Sequence, residues 1–245
     1  MPSPRQRPRE FEMLRLLAQA KVDVSPLRLM SVELHPGRRG QRTECGPDAD
    51  LVLRWQRKTY RFLVECKAGS TPKEVAQAAE MATRSAKPPR SYPLVFAPYL
   101  SDSQFRSLLE RDVSGVDLCG NALITVPGEV LVYRSGAPNR FPSSGIIKNI
   151  YRKNSSIVVR AFLLVPTYDS ISELMHEIKA RGAVITQATA SKVSSSLDQD
   201  LIVERTRGPA PRTKRLRLIQ PGKLLDLLAE NYERPLIRQR TSAKS

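Results

Sequence analysis

Glu65 and Lys67 are the residues whose types and spacing first suggest chemistry in this sequence. The run 60–67 alternates as a β-strand does, which places Glu65 and Lys67 on one face and Phe62 and Val64 on the other. A carboxylate and an ammonium group at a strand end form either an exposed ion pair, worth under about 1 kcal/mol, or part of a catalytic site.

A second carboxylate is expected beside this pair. The preceding apolar run predicts a β-hairpin with a turn near Arg57. In that hairpin Asp50 lies opposite Val64, or opposite Glu65 after a shift of one residue. Either register brings two carboxylates and a lysine together at the end of the hairpin.

Asp50, Glu65 and Lys67 in this order resemble the Asp, Glu-x-Lys signature of the PD-(D/E)XK nuclease superfamily. The resemblance covers about residues 9–134 and implies a restriction-endonuclease-like fold of αβββαβ order. It implies that Asp50 and Glu65 hold Mg²⁺, which activates water, while Lys67 positions water and stabilises charge. Because this superfamily includes members that kept the fold and lost cleavage, both DNA hydrolysis and a non-catalytic role stay open.

The resemblance leaves some choice among the acidic residues. Asp48 follows a proline, as the literal motif asks, but Asp50 is preferred because it directly precedes the apolar run 51–53. Some members of the superfamily carry an extra acid on the first helix and a glutamine on the helix after the motif. The candidates for these are Glu10, Glu12 and Gln77.

The elements around these residues predict an α/β (α+β) domain, a mixed sheet flanked by helices. The helix after the motif has a capping box, with Thr71 as the cap, Pro72 at the first position and Glu74 at the third. The predicted helices are 10–20, 71–86 and 101–112. The predicted strands are 27–34, 49–54, 59–67, 92–98, those within 115–126 around Gly120, and 129–135.

The segment 115–124, GVDLCGNALI, is similar to a D-x-x-GN segment of bacterial proteins related to AbiE-type antitoxins. That similarity implies DNA binding and transcriptional control. A simpler interpretation is a tight turn at Gly120 and Asn121, with Asp117 as a local hydrogen-bond acceptor.

A second domain is predicted over 151–235, after a linker over 135–150 that is rich in Gly, Pro and Ser. Its order of helix, helix, short turn, helix and basic hairpin resembles a winged helix-turn-helix. In that family the third helix enters the major groove of DNA and the wing lies along the backbone. The implied DNA-binding residues are Thr186, Gln187, Thr189 and Lys192 on the helix, and Arg207, Arg212 and Lys214 on the hairpin.

The alternative is that this polar face is simply solvated and that the domain serves protein contact, as in a homodimer. In that case the chain is a non-catalytic transcriptional regulator or an antitoxin-like protein, with the nuclease fold as an interaction platform.

Composition agrees with a polyanionic partner. The chain has 40 Lys and Arg against 24 Asp and Glu, a net charge of +16. This charge favours DNA, although a GC-rich genome can also raise the arginine content. The three cysteines form no metal-binding pattern and fit a reducing cytoplasm. The sequence has no apolar run of about 18 residues, so no membrane span is expected.

Overall fold

In the computed structural model, described for residues 8–35, 46–142, 149–152 and 154–231, the chain divides into two units between residues 144 and 145. This division falls inside the segment 135–150. Residues 143–148 of that segment, and 232–235 of the predicted second domain, lie outside the described residues. Among the described helices, none is long and apolar enough to cross a membrane.

A seven-stranded mixed sheet forms the centre of the N-terminal unit, and its strands lie side by side in chain order. The third, fourth and fifth strands are parallel, whereas every other neighbouring pair is antiparallel. The strands are β1 (Arg28–Leu34), β2 (Ala49–Trp55), β3 (Lys58–Cys66), β4 (Tyr92–Ala97), β5 (Ser114–Asp117), β6 (Ala122–Val126) and β7 (Val130–Arg134).

Helices cover both faces of this sheet. They are α1 (Glu10–Ala18), α2 (Pro72–Ser85) and α3 (Asp102–Leu109). Met13 of α1 belongs to the core that buries Phe62 on one face, whereas Val75 of α2 and Phe105 of α3 pack with Val95 on the other. The predicted mixed α/β architecture, a sheet flanked by helices, is therefore confirmed.

The helices that connect the parallel strands begin where the sequence predicts. Thr71 Oγ1 accepts a hydrogen bond from the backbone N–H of Glu74, and the Glu74 carboxylate accepts one from the N–H of Thr71. Ser101 and Gln104 form the same reciprocal pair at the start of α3. Each pair satisfies backbone donors that the first helical turn leaves free, which fixes the point where the chain leaves the sheet edge.

The described part of the C-terminal unit contains four helices and a three-stranded antiparallel sheet of order β8-β10-β9. Its core contains Phe162, Leu174, Val193 and Leu197. The two-residue strand β8 is an addition to the predicted order. The elements are α4 (Ser155–Leu164), β8 (Thr167–Tyr168), α5 (Ile171–Ala180), α6 (Gln187–Gln199), β9 (Val203–Arg207), β10 (Lys214–Leu218) and α7 (Pro221–Glu230).

Candidate functional site

The register of the β2–β3 hairpin determines which aspartate meets Glu65. Asp50 pairs with Leu63, and Ala49 pairs with Val64. The expected pairing of Asp50 with Val64 or Glu65 is therefore not observed. Continuation of this register by one residue places Asp48 opposite Glu65.

Asp50 has partners of its own. Arg61 binds its Oδ2 through both Nε, at 3.1 Å, and Nη2, and Nε2 of His35 lies 3.5 Å from Oδ1. The Asp50 residue is only 6% exposed. Its carboxylate thus takes part in a local ion pair with Arg61, and the structure does not bring it to Glu65.

Asp48 is fixed at the end of β3 by hydrogen bonds. Its Oδ2 accepts the backbone N–H of Cys66 at 2.7 Å. Its own N–H donates to the carbonyl of Val64 at 2.8 Å, and its carbonyl accepts the N–H of His35 at 2.9 Å. Asp48 therefore bridges β1 and β3 just before β2 begins.

Among the carboxylates near this edge, Glu65 has the pKa that is shifted furthest from its ordinary value. It is 2% exposed, and Nζ of Lys67 lies 3.8 Å from its Oε2. Burial, reinforced by the neighbouring Asp48 and Glu10 carboxylates, raises the pKa of Glu65 to about 7, although the Lys67 charge acts in the opposite direction. The structure thus brings Glu65 and Lys67 together, as the sequence predicts, and adds Asp48.

The first turn of α1 closes one side of this cluster. Oε1 of Glu10 accepts the backbone N–H of Ala68 at 3.4 Å, and the Cys66 thiol donates to the Glu10 carbonyl at 3.8 Å. Burial and the nearby Asp48 carboxylate raise the pKa of the Cys66 thiol, so this sulfur stays protonated. Glu12 instead accepts the backbone N–H of Arg9 in the helix cap, which makes Glu10 the acid nearer to the cluster.

The cluster lies at the edge of the sheet where the parallel strands end. Cys66 pairs with Phe96, and Ala97 pairs with Asp117, so the carboxyl ends of β3, β4 and β5 meet there. Ligands of open α/β sheets commonly bind outside the carboxyl ends of such strands. Gln77, the other suggested residue on α2, is exposed.

Asp117, at this edge, stabilises the local backbone through hydrogen bonds. Its two carboxylate oxygens accept the backbone N–H groups of Leu100, Cys119, Gly120 and Asn121 and the side-chain amide of Asn121. Gly120 has a φ of +105°, a left-handed conformation that favours glycine. The geometry of this segment matches the tight turn with Asp117 as a local acceptor.

Asp48 and Glu65 fit a magnesium ion through the chemistry of their donors. Among the described residues, no group of three or more His, Cys, Asp or Glu side chains is arranged to hold a metal. Mg²⁺, however, is commonly bound by one or two carboxylates, with water and substrate phosphate as the other ligands. Burial, together with the neighbouring Asp48 carboxylate, raises the pKa of Glu65, and a bound cation would favour its ionised form.

The expected proximity of Glu65 and Lys67 is observed, whereas the hairpin register places Asp48, and not the preferred Asp50, opposite Glu65. The signal for Asp48 was present, since it follows Pro47 as the literal motif requires. The preference for Asp50 rested on its place directly before the apolar run. That place gives Asp50 a position within β2, where its side chain reaches Arg61 rather than the end of β3.

The predicted DNA-binding residues of α6 divide into two groups. Gln187 and Lys192 are exposed, whereas Thr186 caps the helix by accepting the N–H of Thr189, and the two threonine hydroxyls are hydrogen-bonded to each other. Thr186, Gln187 and Lys192 are thus the exposed members of the predicted set, and Thr189 is half-buried.

The three cations predicted to bind DNA on the β9–β10 hairpin are exposed. Arg207 lies directly opposite Lys214, and Arg212 lies in the connecting loop. In the part of the chain that the structure describes, none of these three forms an ion pair. Arg215 and Arg217, further along β10, instead pair with neighbouring carboxylates. The tip of the hairpin thus carries positive charge that no carboxylate among the described residues neutralises.

Comparisons of the chain with models of known protein families, with characterised proteins and with solved structures gave no significant match. The nuclease and winged-helix resemblances therefore stay predictions from motifs and element order.

Proposed function

We propose that the N-terminal unit is a restriction-endonuclease-like domain that hydrolyses DNA phosphodiester bonds with Mg²⁺, and that the C-terminal unit is a winged helix that binds the DNA. The observation that carries this proposal is the cluster of Asp48, Glu65 and Lys67 at the carboxyl edge of the parallel strands. Two carboxylates and a lysine in this order are the functional groups of the PD-(D/E)XK signature.

The carboxylates Asp48 and Glu65 would hold the metal. A bound Mg²⁺ ion polarises the scissile phosphate and lowers the pKa of an attacking water. The bond from the Cys66 N–H fixes the position of the Asp48 carboxylate without neutralising its charge. Because the pKa of Glu65 is about 7, Glu65 must release a proton to become a ligand, so binding and cleavage should increase as the pH rises through 7.

Lys67 is placed to act on the substrate. Its side chain is 25% exposed, and its ammonium group lies next to Glu65. From this position the ammonium group can donate a hydrogen bond to a phosphate oxygen or to the attacking water and stabilise the negative charge that develops. Replacement by Ala removes that donor and leaves the buried Glu65 carboxylate without the ammonium group beside it.

The C-terminal unit supports DNA as the substrate. Its element order of helix, strand, helix, helix and hairpin resembles that of a winged helix, in which α6 would be the recognition helix. Gln187 and Lys192 offer groups for base edges and phosphates. The cations Arg207, Arg212 and Lys214 at the hairpin tip offer charge for the DNA backbone, in a chain whose net charge is +16.

A second candidate function is a non-catalytic regulator or antitoxin-like protein. It is favoured by the ion pair between Asp50 and Arg61 and by the lack, among the described residues, of a three-ligand metal group. In such a protein the sheet would serve as an interaction or dimerisation platform while the winged helix binds an operator. The two functions differ in whether bound DNA is cut.

Incubation of the full chain with supercoiled plasmid and short duplexes in Mg²⁺ or Mn²⁺ separates the two functions. Metal-dependent nicking that is lost in Asp48→Asn, Glu65→Gln and Lys67→Ala, and kept in Asp50→Asn, supports the nuclease. A gel-shift assay on the same duplexes must show that the inactive variants still bind DNA. Binding without cleavage in either metal, equal in all variants, supports the regulator instead.

A further inference from the structure

A separate cleft lies at one end of the β1–β2 ladder, the end away from Asp48. Its volume is about 340 Å³, and its lining residues are Pro26, Arg28, Arg54, Trp55 and Gln56. Asp48 directly precedes β2, whereas this cleft lies at the end of the same strand. The length of a seven-residue strand, about 20 Å, therefore separates the cleft from the candidate catalytic cluster.

Two arginines face each other at this cleft. Arg28 and Arg54 are direct partners in the antiparallel ladder. Neither has an ion-pair or hydrogen-bond partner among the described residues, whereas Arg61 and Arg134 of the same sheet each bind a carboxylate. Like charges directly opposite each other on two strands are destabilising unless a counterion lies between them. The pair is thus suited to bind an anionic group.

An aromatic side chain lies beside these charges. Trp55 is half-buried and packs against the main core of the sheet, while part of it lines the cleft. The face of an indole ring is a surface on which a nucleobase stacks. Gln56 next to it is the first residue of the two-residue β2–β3 turn, and its φ of +55° belongs to that turn.

We propose that this cleft binds a nucleoside phosphate, with the phosphate between Arg28 and Arg54 and the base against Trp55. Guanidinium groups are the preferred partners of phosphate oxygens because they donate parallel hydrogen bonds. The volume is at the lower end of the range for small-molecule sites and suits one nucleotide. The nucleotide is either a free molecule or one unit of a DNA strand. Neither source requires that the protein cleaves DNA.

Tryptophan fluorescence tests this site selectively, because Trp55 is the only tryptophan in the chain. The intact protein is titrated with deoxyadenosine monophosphate, with a short single-stranded oligodeoxyadenylate and with inorganic phosphate. We expect a saturable change in fluorescence with the first two and much weaker binding of phosphate alone. Equal affinity for both nucleotide probes identifies a free nucleotide as the ligand, and much tighter binding of the oligonucleotide identifies a DNA strand.

Charge variants give the matched comparison. Arg28→Gln and Arg54→Gln should each weaken nucleotide binding by about tenfold, the effect of losing one charge-assisted contact. Arg57→Gln removes the same charge from the adjacent turn, outside the cleft lining, and should leave binding unchanged. The proposal is overturned if the fluorescence does not saturate, if phosphate binds as tightly as the nucleotide, or if Arg57→Gln weakens binding as much as the other two.

Thermal unfolding provides a second, independent measurement. Without nucleotide, Arg28→Gln should unfold at a higher temperature than the wild-type protein, because one member of the facing like-charge pair is gone. With nucleotide, the wild-type protein should gain more thermal stability than the variant. A variant that is less stable than the wild type without nucleotide and gains as much with it would contradict a phosphate site at this pair.

Discussion

The carboxylate of Asp48 accepts the backbone N–H of Cys66, with Oδ2 2.7 Å from the nitrogen. This bond brings Asp48 to the end of β3, where Glu65 is almost fully buried. Two carboxylates close together in a poorly solvated place cannot both ionise easily, and the single ammonium group of Lys67 offsets only part of that cost. A cation that binds at this edge of the sheet would therefore compete with the proton on Glu65.

Glu65→Gln should flatten the dependence of the free energy of unfolding on pH. Burial raises the pKa of Glu65 from 4.5 to about 7, so in this window the folded protein keeps a proton that the unfolded chain has released. The resulting stabilisation is present in full below pH 4.5 and is lost as the pH rises through 7. The wild-type protein should lose about 3 kcal/mol relative to the variant over this range, as measured by urea denaturation with a chelator present.

Glu80→Gln is the matched control for this measurement. Glu80 lies exposed on α2 and pairs with Arg84 one turn away, so its replacement should leave the pH profile parallel to that of the wild-type protein. A wild-type slope in Glu65→Gln would show that the pKa of Glu65 is not raised in the folded protein.

Mg²⁺ should stabilise the wild-type protein near pH 8 and much less near pH 5, because the metal competes with the proton on Glu65. Asp48→Asn and Glu65→Gln should abolish the increase in melting temperature that Mg²⁺ gives relative to a chelator. Asp50→Asn should retain it, since the Asp50 carboxylate binds Arg61. Thermal unfolding at both pH values measures these differences without any cleavage assay.

Asp50→Asn should still lower stability. It weakens a charge-assisted bond at a residue that is 6% exposed, which should cost roughly 1 to 2 kcal/mol at every Mg²⁺ concentration. Loss of the Mg²⁺ effect in Asp50→Asn, together with its retention in Asp48→Asn, would reverse the assignment of the two aspartates.

The helices and strands of the N-terminal unit could be predicted because their signals are local. Capping boxes at Thr71 and Ser101 mark where two helices begin, and period-two alternation marks β3. The identity of the acidic partner of Glu65 depends instead on the register of the hairpin. A shift of one residue in that register changes which aspartate lies opposite Glu65. The turn consists of Gln56 and Arg57, so the true pairing differs by one position from the expected one.

Contacts between segments that are distant along the chain could not be predicted from local sequence patterns. The ion pair of Asp50 with Arg61 depends on the same register, and the facing pair of Arg28 and Arg54 requires the pairing of β1 with β2. The strand β8 has only two residues, too few to show any periodicity.

Asp117→Ala should destabilise the N-terminal unit by about 3 kcal/mol or more. Asp117 is 1% exposed, and its carboxylate is the acceptor for four backbone N–H groups and the Asn121 amide. Removal leaves several buried donors unsatisfied, which is among the largest costs of a single substitution. Urea denaturation measures the loss. A cost below about 1 kcal/mol would mean that water replaces the carboxylate in the turn.

Arg207→Ala and Lys214→Ala should each weaken DNA binding and make it less sensitive to salt. These two cations face each other across the β9–β10 hairpin and have no ion-pair partner in the described part of the chain. Each phosphate contact that is lost should lower the slope of log affinity against log salt by about 0.9. Fluorescence anisotropy with a labelled duplex over a range of salt concentrations measures both quantities.

Arg217→Ala is the matched control for these two variants, because Arg217 lies on the same hairpin but binds Glu204 at 2.9 Å. The charge of Arg217 is already offset within the protein, so its removal should change the slope less than the removal of Arg207 does. Equal slopes for the Arg207 and Arg217 variants would show that the hairpin tip does not lie along the DNA backbone, and would favour α6 alone as the contact.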